Sequence, residues 1–389
     1  MAVAFTVLMA FGTAPTPLWP LYEARDHFGA TTVTVAYASM VVGAAGAFLG
    51  LGHLSDRVGR RRIIVPALLV GIVASVVLIV WRDLPGLIAG RILNGVGLGL
   101  MASTATTYLH DLYHEARPDR RDSVLPGIVA TAANLGGLAS GPLIAGAAAE
   151  WLPTPLITTQ AIFTLAMAVC LALVLCTPET VDLELPAADP PSRFVLCPGG
   201  RRTFGAAGAL GAFASLGASV LHGTLHTDSH LVVGLAAFLM FGCAAAAQLV
   251  LGRLPLPRLL TVGAVVFPVG LALCALALHH PALWLYLVAV SLSGAGSGLL
   301  FKAGVERAGS VAGPASRAGV LAVFFVVAYP GMGLPSVLFS IALRHFAVQT
   351  AMIGFAAVLS CGAVVSVAVA LRDRAPGPGT LSAQPASPS

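Results

Sequence analysis

The chain has 389 residues, 57% of them apolar and 10% charged, with 21 Lys and Arg against 16 Asp and Glu for a net charge of +5. Soluble domains carry about 25% charged residues, so this composition excludes an ordinary soluble enzyme or binding module. Its positive charges sit in short loops between apolar runs, which points to membrane orientation and excludes a nucleic-acid partner.

Apolar runs of span length predict helices over 3–22, 33–54, 63–81, 84–108, 124–148 and 155–177. A second set follows over 204–223, 230–250, 259–279, 282–303, 318–343 and 347–371. The first run, from Met1 to Tyr22, lacks a positive leader segment and is read as a span rather than a signal. The acidic, proline-rich stretch 181–203 reads as a cytoplasmic linker and 372–389 as a disordered cytoplasmic tail. They divide the chain into an N-terminal bundle, 1–180, and a C-terminal bundle, 204–371. Cys170, Cys176, Cys197, Cys243, Cys274 and Cys361 show no paired spacing, so no disulfide is expected.

The arginines test this map. With the N-terminus inside, Arg57, Arg60, Arg61, Arg62, Arg117, Arg120 and Arg121 fall in inner loops of the first half. Arg193, Arg201, Arg202, Arg253, Arg258, Lys302, Arg307, Arg317, Arg372 and Arg374 do so in the second, against Arg25, Arg82 and Arg344 outside. Such sorting is what the positive-inside rule requires of twelve spans with both termini cytoplasmic. The halves also echo each other. Leu-Asn-Gly-Val-Gly-Leu-Gly-Leu at 93–100 returns as Leu-Ser-Gly-Ala-Gly-Ser-Gly-Leu at 292–299, as a duplicated six-helix unit would give.

Between the second and third spans lies Gly52-His-Leu-Ser-Asp56-Arg57-Val-Gly59-Arg60-Arg61-Arg62. Here the chain resembles the major facilitator superfamily, whose signature in this loop is G-x-L-x-D-R-x-G-R-R. The resemblance implies an all-α membrane fold of twelve helices in two pseudo-symmetric bundles. It also implies an inner gate, with Asp56 near the start of the eleventh span and Arg60 in a charge relay. Gly52 and Gly59 suit the tight turn.

Other features extend the resemblance. Arg91, followed by Asn94, Gly95 and Gly97, is similar to the family's fourth-span signature, which implies proton relay or substrate contact; an intramembrane charge points to function by default. Gly137, Gly141, Pro142 and Gly146 resemble the antiporter signature of drug exporters, with Ala145 in place of one glycine. Pro178-Glu179-Thr180 resembles a family ending of the sixth span. Thr13, Thr16 and Tyr22 in a proline-broken first span are candidates to line a cavity, as are Asn134 and Gln160. His222, His226, Asp228 and His230 read as a solvated loop rather than a metal site.

No acid lies at the centre of a span, so coupling is expected either through Glu23 or Asp26 paired with Arg91 in an outer vestibule, the favoured route, or through a substrate charge or a histidine. Few cavity charges suggest a bulky, apolar or weakly cationic substrate. These features predict a monomeric secondary transporter of the cell membrane, not an enzyme, with no cofactor or metal. Its partners are a small-molecule substrate, protons and the bilayer, and its expected action is proton-coupled efflux of hydrophobic molecules or drugs. An importer of a sugar or amino acid is the alternative. A receptor or membrane enzyme would need a folded extramembrane domain or a catalytic constellation.

Overall fold

The computed structural model describes residues 1–51, 58–120, 123–180, 229–311 and 333–372, together with 328 and 331. The expected span 204–223, the linker, most of the tail, and Gly52, Asp56, Arg57, His222, His226 and Asp228 lie outside the described residues.

Among the described residues every regular element is helical. In chain order these are α1 (Ala2–Thr13), a 3-10 turn (Thr16–Leu18), α2 (Trp19–Asp26), α3 (Ala30–Leu51), α4 (Arg61–Val80) and α5 (Leu84–Ala116). After a second 3-10 turn (Pro118–Arg120) come α6 (Leu125–Trp151) and α7 (Pro155–Leu175). Then follow α8 (His230–Leu251), α9 (Leu256–His279), α10 (Leu283–Val311), α11 (Gly333–Ala342) and α12 (Val348–Arg372). Ten segments among them, α1 with α2 counting as one, are long and apolar enough to cross a membrane. Side chains such as Leu165, Val250 and Val358 stand exposed on the outside of the bundle. Such a surface needs hydrocarbon rather than water as its solvent. The protein is an all-α, multi-pass membrane protein.

Two helices outrun their predicted ends. α5 continues to Ala116 and α10 to Val311, about two turns beyond the apolar runs that end near 108 and 303. A helix satisfies its own backbone, so it need not stop where the chain becomes polar. The first span does the opposite and breaks into α1, a 3-10 turn and α2. Pro15, Pro17 and Pro20 cannot donate to the carbonyls four residues before them, which ends regular helix there.

Glycine contacts reproduce the sequence repeat in three dimensions. On α5, side chains at Gly95, Gly97 and Gly99 would collide with the backbone at Met40, Ala67 and Ala44. On α10, side chains at Gly294, Gly296 and Gly298 would collide with the backbone at Met240, Phe267 and Ala244. α5 therefore packs on α3 and α4 as α10 packs on α8 and α9, residue for residue. Close backbone approach through small residues is how helices associate without water to drive them.

α6 lies between the halves. Gly137 and Gly141 leave no room for a side chain against Thr6 and Ala10 of α1. One turn on, Gly146 and Pro142 meet His230 and Gly234 of α8 in the same manner. Pro142 removes the helical donor to the Leu138 carbonyl, and the Thr13 hydroxyl donates to that oxygen at 2.8 Å. At the end where α6 finishes, more bonds join the halves. The Glu150 carboxylate accepts from Ser229 Oγ at 3.1 Å and from the Leu231 amide at 3.4 Å, capping α8. The Thr34 and Ser340 hydroxyls bond at 2.8 Å, and Arg344 Nε donates to Thr31 Oγ1 at 3.0 Å.

Two outcomes test this packing. Gly95→Ala forces a methyl group into the Met40 carbonyl and is expected to cost about 1–3 kcal/mol, as overpacking does. Gly46→Ala on α3 meets no atom within 4 Å and should be neutral or stabilising by up to about 1 kcal/mol. Thermal unfolding in detergent ranks the two, and equal midpoints would contradict the seam. Separately, Thr13→Val orphans the Leu138 carbonyl at a cost of about 1–3 kcal/mol. In a Pro142→Ala background the helix resupplies the donor and that cost should shrink by about 1 kcal/mol or more. A strictly additive cycle would disprove the bond.

Candidate functional site

Two places gather the residues singled out in the sequence: the start of α4 at the arginine-rich end, and the break in the first span.

At the first, Gly59 has φ of +109°, a conformation that an L side chain resists. A side chain there would also strike Glu179. The Glu179 carboxylate accepts from the backbone amides of Arg60 at 2.8 Å, Arg61 at 3.1 Å and its neighbour Thr180 at 3.1 Å. It thus caps α4, whose N-terminal dipole favours an anion. Arg61 Nη1 donates to the Thr177 carbonyl at 3.0 Å, and the Tyr108 hydroxyl donates to the Pro178 carbonyl. Arg60 Nε meets Asp111 Oδ2 at 3.3 Å, and the Thr180 hydroxyl donates to the same oxygen at 3.4 Å. The start of α4, the extension of α5 and the end of α7 are thereby strapped together. Asp111 was not marked by the sequence, because it enters only through the overlong end of α5. Glu179 stood out only as part of a resemblance.

At the second place, the side chains repair the broken backbone. Pro15 leaves the Phe11 carbonyl without its helical donor, and Asn94 Nδ2 approaches it at 3.4 Å. The Gly12 carbonyl, in the last turn of α1, accepts from Arg91 Nη1 at 3.1 Å. His230 of α8 bonds the Pro17 carbonyl through Nδ1 at 3.2 Å, so the break touches both halves.

Arg91 is 1% exposed. Its Nη2 lies 2.9 Å from Met40 Sδ, and its guanidinium carbon stands 5.7 Å from the centre of the Trp19 ring. Tyr22 and Tyr37 flank it electrostatically, and Trp19 and Tyr22 pack at 5.8 Å. Among the described residues no carboxylate lies within ion-pair distance of Arg91. Asp26 instead holds Arg25 in a two-pronged bridge at 2.6 and 2.7 Å, and Arg25 also donates to the Arg82 carbonyl. The expected pairing of Asp26 with Arg91 is therefore not formed, because a nearer arginine takes the acid. Glu23 lies half-buried on α2.

The other candidates separate. Thr13 is committed to the Leu138 carbonyl, and Thr16 is buried in the 3-10 turn. Gln160 is buried beside Tyr22, while its own carbonyl accepts from Ser75 and Thr164. Asn134 is half-buried on α6, apart from this cluster. Trp19, Tyr37 and Met40 escaped the sequence reading, since an aromatic or Met in an apolar run carries no signal until its neighbours are known.

Several known proteins share parts of this design. The arabinose-proton symporter of Bacillus subtilis is 37% identical over 70 residues, covering 18% of this chain and 15% of its own length. The glucose transporter GlcP of Staphylococcus epidermidis is 33% identical over 82 residues, with 21% and 18% covered. The multidrug resistance protein MdtL of Escherichia coli is 32% identical over 94 residues, 24% of each chain. The matches thus span a quarter or less of these relatives. Two solved structures align almost throughout. A mutant form of the nucleoside transporter NupG gives a TM-score of 0.73 at 12% identity over 96% of this chain and 98% of its own. The human organic anion transporter MFSD10 gives 0.67 at 14% identity, with 94% and 98% covered. At such identities the likeness shows the fold. The family model of the Major Facilitator Superfamily matches residues 1–219, more than half of the sequence, and the chain therefore belongs to that superfamily.

Proposed function

We propose that this superfamily transporter exports hydrophobic small molecules across the cell membrane in exchange for protons. It works as a monomer, with both termini and the arginine-rich end in the cytoplasm. The observation that carries the reading is the seam of α6. Its Gly137, Gly141, Pro142 and Gly146 pack on α1 of one half and α8 of the other, so a stretch of small residues around a proline lies where two rocking bundles would slide. The partial likeness to MdtL supports the same direction. Arg60, Asp111 and Glu179 serve the cytoplasmic gate.

A second reading, import of a small solute driven by protons, draws on the two sugar carriers among the relatives. The two readings differ in sign. In proteoliposomes an imposed proton gradient drives the substrate against the proton flux in the first case and along it in the second.

We assign proton coupling to Glu23 and Asp26, the acids of the first span. Glu23→Gln with Asp26→Asn should lower gradient-driven transport by about tenfold or more, in keeping with loss of a proton-transfer group. Counterflow of labelled substrate, which needs no proton, should persist. Undiminished gradient-driven transport in the double variant would refute the assignment.

A further inference from the structure

We infer that the buried cluster around Arg91 is the recognition site for an organic anion, one negative charge attached to a flat apolar body. The inference rests on the transport reading above and narrows its substrate.

The argument starts from what the cluster lacks. A guanidinium taken out of water without a counter-charge is costly, and proteins offset it with a carboxylate and a full set of acceptors. Arg91 is fully buried, yet its described partners are a carbonyl, a thioether and an indole ring, all of them neutral. Among the described residues its Nε–H has no acceptor, and neither has the Nε1–H of Trp19, which is also 1% exposed. These are N–H groups of fixed identity, which no side-chain flip converts into acceptors. Buried polar groups left unpaired are rare, and several in one place call for an explanation. Among the described residues, two N–H donors without acceptors and one positive charge without a negative one outnumber the single unpaired acceptor, Asn94 Oδ1, and outline the complement of a carboxylate or sulfonate.

The shape of the surroundings adds the second half. Trp19, with Tyr22 packed against it, and Met40 supply flat and polarizable faces beside the charge, which suits an aromatic or alicyclic body. Gln160, buried beside Tyr22, lies on a helix packed against the first span, within reach of a second polar substituent of the ligand. A cation is disfavoured by the same charge that an anion needs. Contact of the broken first span with His230 places the cluster beside the junction of the two halves, so a rocking motion exposes it.

The test uses the purified full-length transporter with three solutes of one shape: 3-phenylpropane-1-sulfonate, 3-phenylpropionamide and 3-phenylpropylamine. The sulfonate should raise the thermal midpoint and exchange in counterflow, with the amide and amine at least about tenfold weaker, the value of one charge-assisted contact. Arg91→Gln should abolish that preference, Arg91→Lys should retain part of it, and Trp19→Phe should weaken sulfonate binding. Equal binding of the amide or amine, or unchanged sulfonate binding by Arg91→Gln, would overturn the inference. Should Arg91→Gln fail to fold, the wild-type charge series and Arg91→Lys decide the matter. If none of the three solutes binds while gradient-driven export of a hydrophobic dye persists, the anion site is wrong and the transport reading stands. If dye export fails as well, both fall.

Discussion

Within a bilayer every backbone carbonyl needs a donor from the protein itself, and the prolines of the first span and of α6 withhold several. The structure answers with side chains. Thr13 serves the carbonyl that Pro142 abandons, Asn94 serves the one that Pro15 abandons, and Arg91 takes the end of α1. These repairs fix α1 against α5 and α6 and bring a guanidinium to the middle of the N-terminal half. A polar cluster inside the N-terminal half is thus also a structural joint.

The second constraint is steric. Glycines on α5 and α10 bring helix backbones into direct contact, and the same positions recur in both halves. Among the described residues these helices meet backbone to backbone at the glycine positions. Between the halves, α6 repeats the device once towards its own half and once towards α8. These close seams arise from the smallest residue in the alphabet.

Much of this was legible in the sequence, for identifiable reasons. Span-length apolar runs announce helices, and the glycine repeat at 93–100 and 292–299 announced the pairing that the structure displays. Arg91 was visible because a lone charge inside an apolar run has few meanings. What was hidden depends on helices meeting. Asp111 looked like one more loop acid until α5 proved to extend beneath it, and Asp26 looked available to Arg91 until Arg25 proved nearer. Trp19 and Tyr37 gave no sign, since aromatic residues in membrane helices are common and only position distinguishes them.

The hydrogen bonds that join the halves near Glu150 have a thermodynamic character of their own. Glu150 with the start of α8, Thr34 with Ser340, and Arg344 with Thr31 are each bonds that water can replace almost in kind. Their net worth is small, so they set the alignment of the two halves without holding them shut. Parting that end trades partners rather than losing them.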